Sequence, residues 1–270
     1  MNILFHKTIQ TSIGNIELIT ANHSRHHFPK HFHETFPFGV VTKGALGFHY
    51  RGKKVTAWRG SINLANPGEV HDGFPAADNG WQYRMFYVDR QVVNEVLNIN
   101  QNSESFPWFN SGVIQDDKLA RKIAWLHYQI EKNTNVDLET ETQFSLLLEE
   151  LFTHYAQHIP QQPSKLPGKD TLQPVFELLQ ERDILNSSLK QLADINGLSV
   201  GYFIRAFKKS CGLTPHQYQL VCKMERARNQ ILDNKSITEV ALANGFVDQS
   251  HFHKTFKRFY GFTPAVLKSP

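Results

Sequence analysis

The C-terminal part of this 270-residue chain carries the same pattern twice. The stretch NGLSVGYFIRAFKKSCGLTP at 196–215 is followed by NGFVDQSHFHKTFKRFYGFTP at 244–264. The similarity continues upstream, because SLKQLADINGL at 188–198 aligns with SITEVALANGF at 236–246. A duplicated unit of this kind indicates a repeated structural element, and it constrains the fold before any single motif does.

Each copy predicts two short helices joined by a tight turn. Ser188 and Ser236 are good N-cap residues, and the apolar positions after them follow the i, i+3, i+4 spacing of a helix. Asn-Gly tolerates the left-handed conformation that ends a helix, and Ser199 and Asp248 can cap the helix that follows. Helix, glycine turn and capped second helix form the helix-turn-helix plan.

The second helix of each copy has one apolar face and one polar, basic face. Phe203 and Phe207 are four residues apart, as are Phe252 and Phe256, so each pair is expected to face a core. The residues on the opposite faces either form an ordinary solvent-exposed polar surface or contact DNA. The duplication favours DNA contact, and the candidate DNA-binding residues are Arg205, Lys208, Lys209, Gln249, Ser250, His253, Lys254, Lys257 and Arg258.

From residue 171 onward, the chain resembles the DNA-binding domain of the AraC/XylS transcriptional regulators. The stretch ITEVALANGFVDQSHFHKTFKRFYGFTPAVLK at 237–268 matches the signature of that family almost throughout. MERARNQIL at 224–232 matches the helix that connects its two helix-turn-helix units. The resemblance implies an all-α double helix-turn-helix domain that binds double-stranded promoter DNA, with RNA polymerase as a further candidate partner.

Positions within the family motif divide the candidate DNA contacts into two groups. The side chains expected to read bases in the major groove are Arg205, Gln249, His253 and Lys254. The side chains expected nearer the phosphates are Lys208, Lys209, Lys257 and Arg258.

The charge distribution agrees with a nucleic-acid partner. Residues 171–270 hold 13 Lys and Arg against 8 Asp and Glu, whereas residues 1–170 hold 16 against 17. A basic domain attached to a near-neutral one suits a polyanion, since each neutralised phosphate releases counterions. No apolar run approaches the length of a membrane span, no signal peptide is evident, and two cysteines indicate no disulfide framework. A cytoplasmic protein without a membrane partner is expected.

A break in composition separates the two halves. HIPQQPSKLPGKD at 158–170 holds three prolines and a glycine among polar residues, which disfavours helix and is typical of a linker. The expected organisation is therefore an effector-binding and dimerisation domain at 1–158, a linker at 159–170 and a DNA-binding domain at 171–270.

The first half begins with strands and continues with helices. FPFGVVTKGALGFHYRGKKVTAWRGSINLANPGEVH at 36–71 alternates short apolar runs with Lys-Gly, Arg-Gly and Pro-Gly turns, which predicts a small all-β barrel or sandwich. Helices are predicted at 116–133 and 137–158. An apolar stripe in the second helix packs on the barrel or forms a homodimer interface, and the resemblance favours the homodimer; its residues are Phe144, Leu147, Leu148, Leu151 and Tyr155.

The barrel resembles the cupin-type effector domain of the same family. The similarity lies in a His-rich strand, in the pattern G-x6-P-G-E-x-H from Gly60 to His71, and in an aromatic strand after it. It implies a two-domain α+β chain in which a cupin-like barrel with a helical dimerisation segment precedes the double helix-turn-helix. A compact polar or charged small-molecule effector is expected, bound by residues that could equally be ordinary core: His31, His33, Phe48, Tyr50, His71, Trp81 and Tyr83.

Some cupins are metalloenzymes, so a metal site is an alternative. His31 and His33 are two apart and share one face of a strand, and His71 could supply a third ligand. The cupin pattern also requires a carboxylate a few residues after the second histidine, where this chain has TFPFG. We therefore expect a regulator without catalytic activity, cofactor or metal. The alternatives are a metal-dependent cupin enzyme fused to a DNA-binding domain and a regulator whose barrel binds a partner protein.

Overall fold

The chain contains two compact units. The computed structural model describes residues 2–11, 14–97, 99, 105–132, 138–160, 169–180, 189–198 and 200–268. One unit covers the described residues up to 160, and the other covers those from 169 to 268. The first is rich in strands and the second is helical, so the predicted two-domain α+β class is confirmed. The predicted caps Ser188 and Ser199, and most of the predicted linker, lie outside the described residues.

The first unit is built on antiparallel strands. The described strands are β1 (Asn2–Thr11), β2 (Gly14–His23), β3 (Phe28–His31), β4 (Phe36–Tyr50), β5 (Lys53–Trp58), β6 (Ile62–Leu64), β7 (His71–Pro75), β8 (Trp81–Val88), β9 (Ser105–Trp108), β10 (Val113–Ile114) and β11 (Gln157–Pro160). One path of neighbours runs β1, β2, β8, β4, β6, β10, while β5 and β7 also pair with β4 and β3 pairs with β7. The long strand β4 therefore pairs with four others, β5, β6, β7 and β8.

The course of β4 corrects one sequence-based expectation. Lys43-Gly44 was expected to form a turn, but it lies inside β4, where the register with β8 shifts between Val41 and Lys43. Gly44 has φ 65°, and a Cβ on it would lie 1.9 Å from the Gly80 carbonyl oxygen. A glycine at this point lets the strand bend and approach a neighbouring backbone instead of reversing. Arg51-Gly52 and Pro67-Gly68 do form turns.

The alternation of β8 separates two environments. Successive side chains of a strand point to opposite faces of the sheet. On one face, Arg84 hydrogen-bonds to His127 in one of the helices that cover the sheet, and the Phe86 ring packs against Phe144 at 5.3 Å between centroids. On the other face, Trp81 and Tyr83 are buried with residues of β2 inside the barrel. The strand thereby supplies the helix-facing core and the barrel interior at once.

Three helices accompany this sheet, with bounds that differ slightly from the expected ones. They are α1 (Arg90–Val96), α2 (Asp117–Lys132) and α3 (Leu138–Tyr155). Helix α3 was expected to reach residue 158, but the chain leaves it after Tyr155 and forms β11, which pairs with β9. The final residues of that segment are thus used for strand pairing.

The apolar stripe of α3 is part of the domain's own core. Phe144, Leu147, Leu148 and Leu151 are 0–4 % exposed and belong to one hydrophobic cluster with the strands. The stripe therefore packs on the barrel, and its expected use as a dimer interface is wrong. The reason is that the sheet face carrying Phe86 needs an apolar cover, which α2 and α3 provide.

The second unit contains six α-helices in its described part. They are α4 (Lys169–Gln180), α5 (Leu189–Ile195), α6 (Val200–Cys211), α7 (Pro215–Leu232), α8 (Ile237–Ala243) and α9 (Gln249–Tyr260), followed by a short 3-10 helix at Pro264–Lys268. Helices α5 and α6 form the first helix-turn-helix unit, α8 and α9 form the second, and α7 connects them. The predicted duplication is confirmed.

The two copies share their turn and core chemistry. Gly197 and Gly245 follow the first helix of each unit with φ 61° and 74°, the left-handed conformation that Asn-Gly predicts. All four repeated phenylalanines, at 203, 207, 252 and 256, are fully buried. Asp248 caps α9 by accepting a hydrogen bond from the His251 N–H at 2.6 Å.

The connecting helix has a defined start. Thr214 caps α7 by accepting from the Gln217 N–H at 3.3 Å, while the Gln217 side chain accepts from the Thr214 N–H at 2.9 Å. The first Gly-x-Thr-Pro motif thus begins a long helix, and the second leads into the terminal 3-10 turn. No helix within the described ranges is long and apolar enough to cross a membrane.

A neutral histidine lies between the helical layer and the sheet. His127 of α2 is fully buried; its Nδ1 accepts from Arg84 at 3.2 Å, and its Nε2–H donates to the Met85 carbonyl at 3.2 Å. Arg84 also pairs with Glu131, one turn further along α2. Burial, and then the positive charge of Arg84, lowers the pKa of His127 from 6.5 to about 3.

We expect this histidine to make the first unit acid-sensitive. Between pH 6.5 and about 3 the unfolded chain binds a proton at His127 that the folded chain does not, so stability falls as pH falls. The contribution has a limiting slope of about 1.4 kcal/mol per pH unit. Between pH 6 and 4.5, His127→Gln should therefore lower the slope of unfolding free energy against pH by up to about 1.4 kcal/mol per pH unit.

Tryptophan fluorescence can measure this unit within the full chain, since all four tryptophans, at 58, 81, 108 and 125, belong to the first unit. Urea unfolding at several pH values would then give the slope for wild type and variant. His154→Gln, at an exposed position of α3, is the matched control. Equal slopes for wild type and His127→Gln would contradict the assignment.

Candidate functional site

Three histidines, two from adjacent strands and one that follows the first of these strands, meet in the barrel. His31 ends β3 and His71 begins β7, and the two are direct partners in the antiparallel register. His33 follows β3, and its carbonyl accepts a hydrogen bond from the Gly68 N–H at 2.8 Å. The ligand-capable nitrogens of the three rings lie within 4.8 Å of one another. The structure thus brings together the three histidines that the sequence singled out, and we refer to them as the histidine trio.

The Pro-Gly turn positions the second half of the trio. The Glu69 N–H donates to the Asn66 carbonyl at 3.1 Å, closing a four-residue turn with Pro67 and Gly68 at its centre. Gly68 has φ 74°, the value a type II turn needs at that position. The turn directs the Glu69 carbonyl toward His71, so the G-x6-P-G-E-x-H pattern has a local structural meaning.

Backbone carbonyls determine which nitrogen carries the proton in two of the rings. The Nδ1–H of His31 donates to the Pro29 carbonyl at 2.7 Å, and the Nδ1–H of His71 donates to the Glu69 carbonyl at 2.9 Å. A neutral imidazole protonated on Nδ1 has a lone pair on Nε2. The Nε2 of His31 lies 3.2 Å from the Nε2 of His33.

Burial keeps His31 and His71 uncharged. Desolvation, followed by the nearby charges of His71 and His33, holds the pKa of His31 well below its usual value. Desolvation and then His33 lower the pKa of His71 to about 4. Neutral imidazoles at physiological pH offer lone pairs and N–H groups to a ligand, but no positive charge.

A second cluster lies around the start of β8. Trp81 is 1 % exposed and stacks on His23 at 4.7 Å between ring centroids. The Tyr83 hydroxyl hydrogen-bonds to Nε2 of His23 at 3.1 Å. The ring centroid of Phe28 lies 6.1 Å from that of Trp81 and 6.1 Å from that of His31, so Phe28 joins this cluster to the histidine trio.

Two buried polar atoms in the second cluster have no hydrogen-bond partner in the described part of the chain. They are the indole Nε1 of Trp81 and Nδ1 of His23. Such groups in a protein interior are uncommon, and each needs a physical explanation. A polar ligand inside the barrel would provide one.

Sequence reasoning missed three members of this interior. His23 and Phe28 were not among the expected effector residues, although His23 is the strand partner of Trp81. Tyr87 was also missed, and its ring lies 5.3 Å from that of His33. Strand pairing could have identified His23, because a residue opposite an expected pocket residue shares its face. Alternation along β8 could have identified Tyr87, which lies on the same face as Trp81 and Tyr83.

The remaining two expected effector residues are placed differently. Phe48 and Tyr50 lie in the second half of β4 and pack against Gly112. The Tyr50 hydroxyl donates to the Phe109 carbonyl at 3.0 Å and accepts from the Asn66 amide at 2.6 Å. Burial raises the pKa of Tyr50. Tyr50 therefore has a structural role in holding the loop at Phe109, whatever else it contacts.

In the second unit, α9 presents a polar surface opposite its buried phenylalanines. Gln249, at the start of the helix, is exposed; its amide lies 3.3 Å from the Thr238 hydroxyl and 3.4 Å from Nε2 of His253. Ser250 and Lys254 are exposed beside them. The last turn carries the exposed residues Lys257 and Arg258.

Helix α6 presents a smaller set of such groups. Arg205, Lys208 and Lys209 are exposed, and Ile204 is partly exposed between them and the core. The structure therefore places all expected DNA-contacting side chains of α6 and α9 at the surface of the second unit, His253 being partly exposed. Surfaces of this kind can hydrogen-bond to base edges and phosphates.

Two family models match most of the chain. Residues 13–154, more than half of the chain, match the AraC-like ligand binding domain. Residues 192–269 match a helix-turn-helix domain.

The chain is similar to transcriptional regulators over most of their length. The chain is 28 % identical to the uncharacterised HTH-type transcriptional regulator YbfI of Bacillus subtilis, over 83 % of this chain and 81 % of that protein. It is 24 % identical to the HTH-type transcriptional activator RhaS of Yersinia pestis, over 90 % of this chain and 89 % of RhaS.

Solved structures share the fold. ToxT from Vibrio cholerae superimposes with a TM-score of 0.57 over 94 % of this chain and 99 % of ToxT, at 10 % identity. ToxT with a bound unsaturated fatty acid superimposes with a TM-score of 0.55 over 92 % of each chain, at 11 % identity. With a ligand-binding barrel, a duplicated helix-turn-helix and these matches, the chain belongs to the AraC family of transcriptional regulators and has a ligand-binding domain and a DNA-binding domain.

Proposed function

We infer that this regulator binds a compact polar effector inside its barrel and couples that binding to promoter recognition in the cytoplasm. The observation that carries the effector site is a pair of buried polar atoms, on Trp81 and His23, for which the described residues supply no hydrogen-bond partner. They lie in the domain that matches a ligand-binding family model. The rings around them are aromatic or neutral imidazole, an environment in which a few placed polar groups orient a ligand.

The chemistry of the site favours a ligand with both donors and acceptors. The indole of Trp81 can only donate a hydrogen bond, while a neutral histidine donates at one nitrogen and accepts at the other. Burial, and then the charge of His26, lowers the pKa of His23 to about 3, so His23 is neutral at pH 7. Hydroxyl and carboxylate groups satisfy these requirements, and the ToxT ligand is itself a fatty acid.

The effector can change transcription only through a difference in affinity. A ligand shifts an equilibrium between two states of the protein by as much as its binding free energies to those states differ. Contacts in the barrel must therefore differ between the state that binds the promoter well and the state that does not. His31, His33 and His71 are proposed to contribute to these contacts together with Trp81 and Tyr83.

We expect the Trp81 N–H to be needed for effector affinity. A panel of sugars and short carboxylic acids is screened for ligands that raise the melting temperature of the full-length protein, because ligands of the folded state stabilise it. Trp81→Phe keeps an aromatic ring and removes the N–H donor. It should weaken binding of each hit by about tenfold, the effect of about 1.4 kcal/mol expected for a lost buried hydrogen bond.

Trp58→Phe is the matched control, since Trp58 is 57 % exposed. Affinity is measured by calorimetry on all three proteins. Equal affinity in Trp81→Phe and wild type would remove Trp81 from the effector site. A panel without any stabilising member would count against a sugar or short acid as the effector.

For DNA, we propose that α9 reads more bases than α6. Helix α9 exposes Gln249 and Lys254 with His253 alongside, whereas α6 offers Arg205 as its base-reading side chain. Glutamine can form a bidentate contact with adenine and arginine with guanine. The contacts of Thr238 and His253 with the Gln249 amide support this assignment, because they restrict the amide before DNA arrives.

We expect base-reading and phosphate-contacting residues to behave differently on substitution. With a site selected from random DNA, Gln249→Ala should lower specific affinity by about 1–3 kcal/mol and leave random DNA binding unchanged. Lys257→Ala should weaken binding to both the selected and the random DNA. It should also reduce the steepness of the plot of log K against log salt concentration by about 0.9.

Lys235→Ala, at an exposed position after α7, is the control for general charge loss. Fluorescence anisotropy at several salt concentrations gives all of these values. If Gln249→Ala weakened selected and random DNA equally, Gln249 would be a backbone contact and the assignment would fail.

A homodimer is proposed on the outer face of α2 and α3. Since the α3 stripe is used in the core, a partner must use other residues. Trp125 and Leu146 are 51 % and 58 % exposed. A salt bridge between Lys122 and Glu150 joins the two helices one turn away from these residues, so the two apolar side chains share one surface. Exposed apolar patches on such a surface are typical of association sites.

Leu146→Glu should convert a dimer into a monomer. A buried, unpaired carboxylate at the interface opposes association strongly. Sedimentation of the full-length protein over a range of micromolar concentrations measures the state. Leu242→Glu in α8, at a residue 61 % exposed, is the control. A monomeric wild-type protein, or a dimeric Leu146→Glu variant, would contradict the proposal.

RNA polymerase is proposed as a further partner. The support is that RhaS, similar over most of both chains, is named a transcriptional activator. An activator bound beside a promoter acts by contacting the transcription machinery.

A further inference from the structure

We propose that His31, His33 and His71 bind one divalent first-row transition-metal ion of the zinc class. The site is made entirely by the first unit, and its occupancy can be measured without any effector. The inference therefore goes beyond the proposed effector function and stands or falls separately from it.

The spacing of the three rings suits one ion. Two nitrogens bound at about 2.0–2.1 Å to a tetrahedral ion lie about 3.3 Å apart. The Nε2 atoms of His31 and His33 are 3.2 Å apart. The centroids of the three rings are 4.5, 4.8 and 5.2 Å apart, and the ligand-capable nitrogens lie within 4.8 Å, so a small adjustment of His71 completes the set.

The proton positions support metal binding more strongly than the distances do. His31 and His71 each donate Nδ1–H to a backbone carbonyl, so Nε2 of each ring carries a lone pair that can bind a metal. Within the trio, only His33 can then supply an N–H, and its Nε2 lies 3.2 Å from that of His31. A cation satisfies all three nitrogens when His33 also turns a lone pair toward it.

The carbonyl contacts are those expected of ligand histidines. A histidine that binds a metal almost always donates its other N–H to a carboxylate or a backbone carbonyl, which sets its tautomer and orientation. The carbonyls of Pro29 and Glu69 serve His31 and His71 in this way. Each carbonyl belongs to the residue two positions before its histidine, so the local sequence supplies the groups that orient the two rings.

The donor set decides the class of ion. A donor set of three imidazoles favours zinc, copper, nickel or iron over magnesium and calcium, which prefer oxygen ligands. Glu34, the nearest carboxylate after His33 in the sequence, is exposed. Three protein ligands leave the fourth position of a tetrahedral ion for water or an oxygen donor. An effector carboxylate or hydroxyl is therefore a suitable fourth ligand.

The test uses cobalt(II) as a visible probe of the full-length chain. The protein is produced without a histidine tag, stripped with a chelator and titrated with Co²⁺. We expect about one ion per chain and the intense visible absorption of four-coordinate cobalt, which Zn²⁺ then displaces. Loss of a group that only holds a metal ligand in place lowers metal affinity by about 10–100-fold. His71→Ala removes a ligand itself and should lower the affinity at least as much.

His27→Ala is the matched control, since His27 is an exposed histidine of the same segment. His33→Ala serves as a second ligand variant, and tryptophan fluorescence without metal establishes that each variant is folded. Absence of the cobalt absorption in wild type would overturn the proposal, as would an unchanged affinity in both His71→Ala and His33→Ala. Loss of binding in His27→Ala as well would indicate a non-specific histidine-rich surface and would equally overturn it.

Discussion

The alternation of side chains along one central strand is the constraint on which the first unit depends. Because neighbours on β8 face opposite ways, Arg84 and Phe86 meet the helices while Trp81 and Tyr83 line the barrel. A slip of one residue would place the aromatic pocket residues against α2 and α3 and the arginine inside the barrel. The packing of the helical layer and the composition of the proposed effector site are therefore set by the same register.

Burial without charge is the second common feature of this unit. The pKa values of His23, His31, His71 and His127 are all lowered, with desolvation as the largest cause. Neutral imidazoles can be packed among aromatic rings at moderate cost, whereas a charged group in the same place would need a partner. The same property that lets these residues line an interior also makes them suitable as hydrogen-bonding groups and as ligands of a cation.

In the second unit, duplication preserves the scaffold and varies the surface. Both copies bury their phenylalanine pairs and turn at a left-handed glycine. Their outer faces differ: α9 carries Gln249 and His253, where α6 carries few groups that could read a base. A core must be complementary to its neighbours in both copies, whereas an exposed face is free to diverge, so one architecture can present two different surfaces.

The sequence by itself determined the helix-turn-helix repeat, the turn glycines, the Asp248 cap and the fold class, since all of these depend on local spacing and on residues near in the chain. It also pointed to His31, His33 and His71, which two local motifs supply. Only the tertiary structure decided that Lys43-Gly44 continues a strand, that the α3 stripe is core, and that His23 lies beside Trp81. These outcomes depend on which strands pair and on which apolar surfaces need covering, and both are set by contacts between residues far apart in the chain.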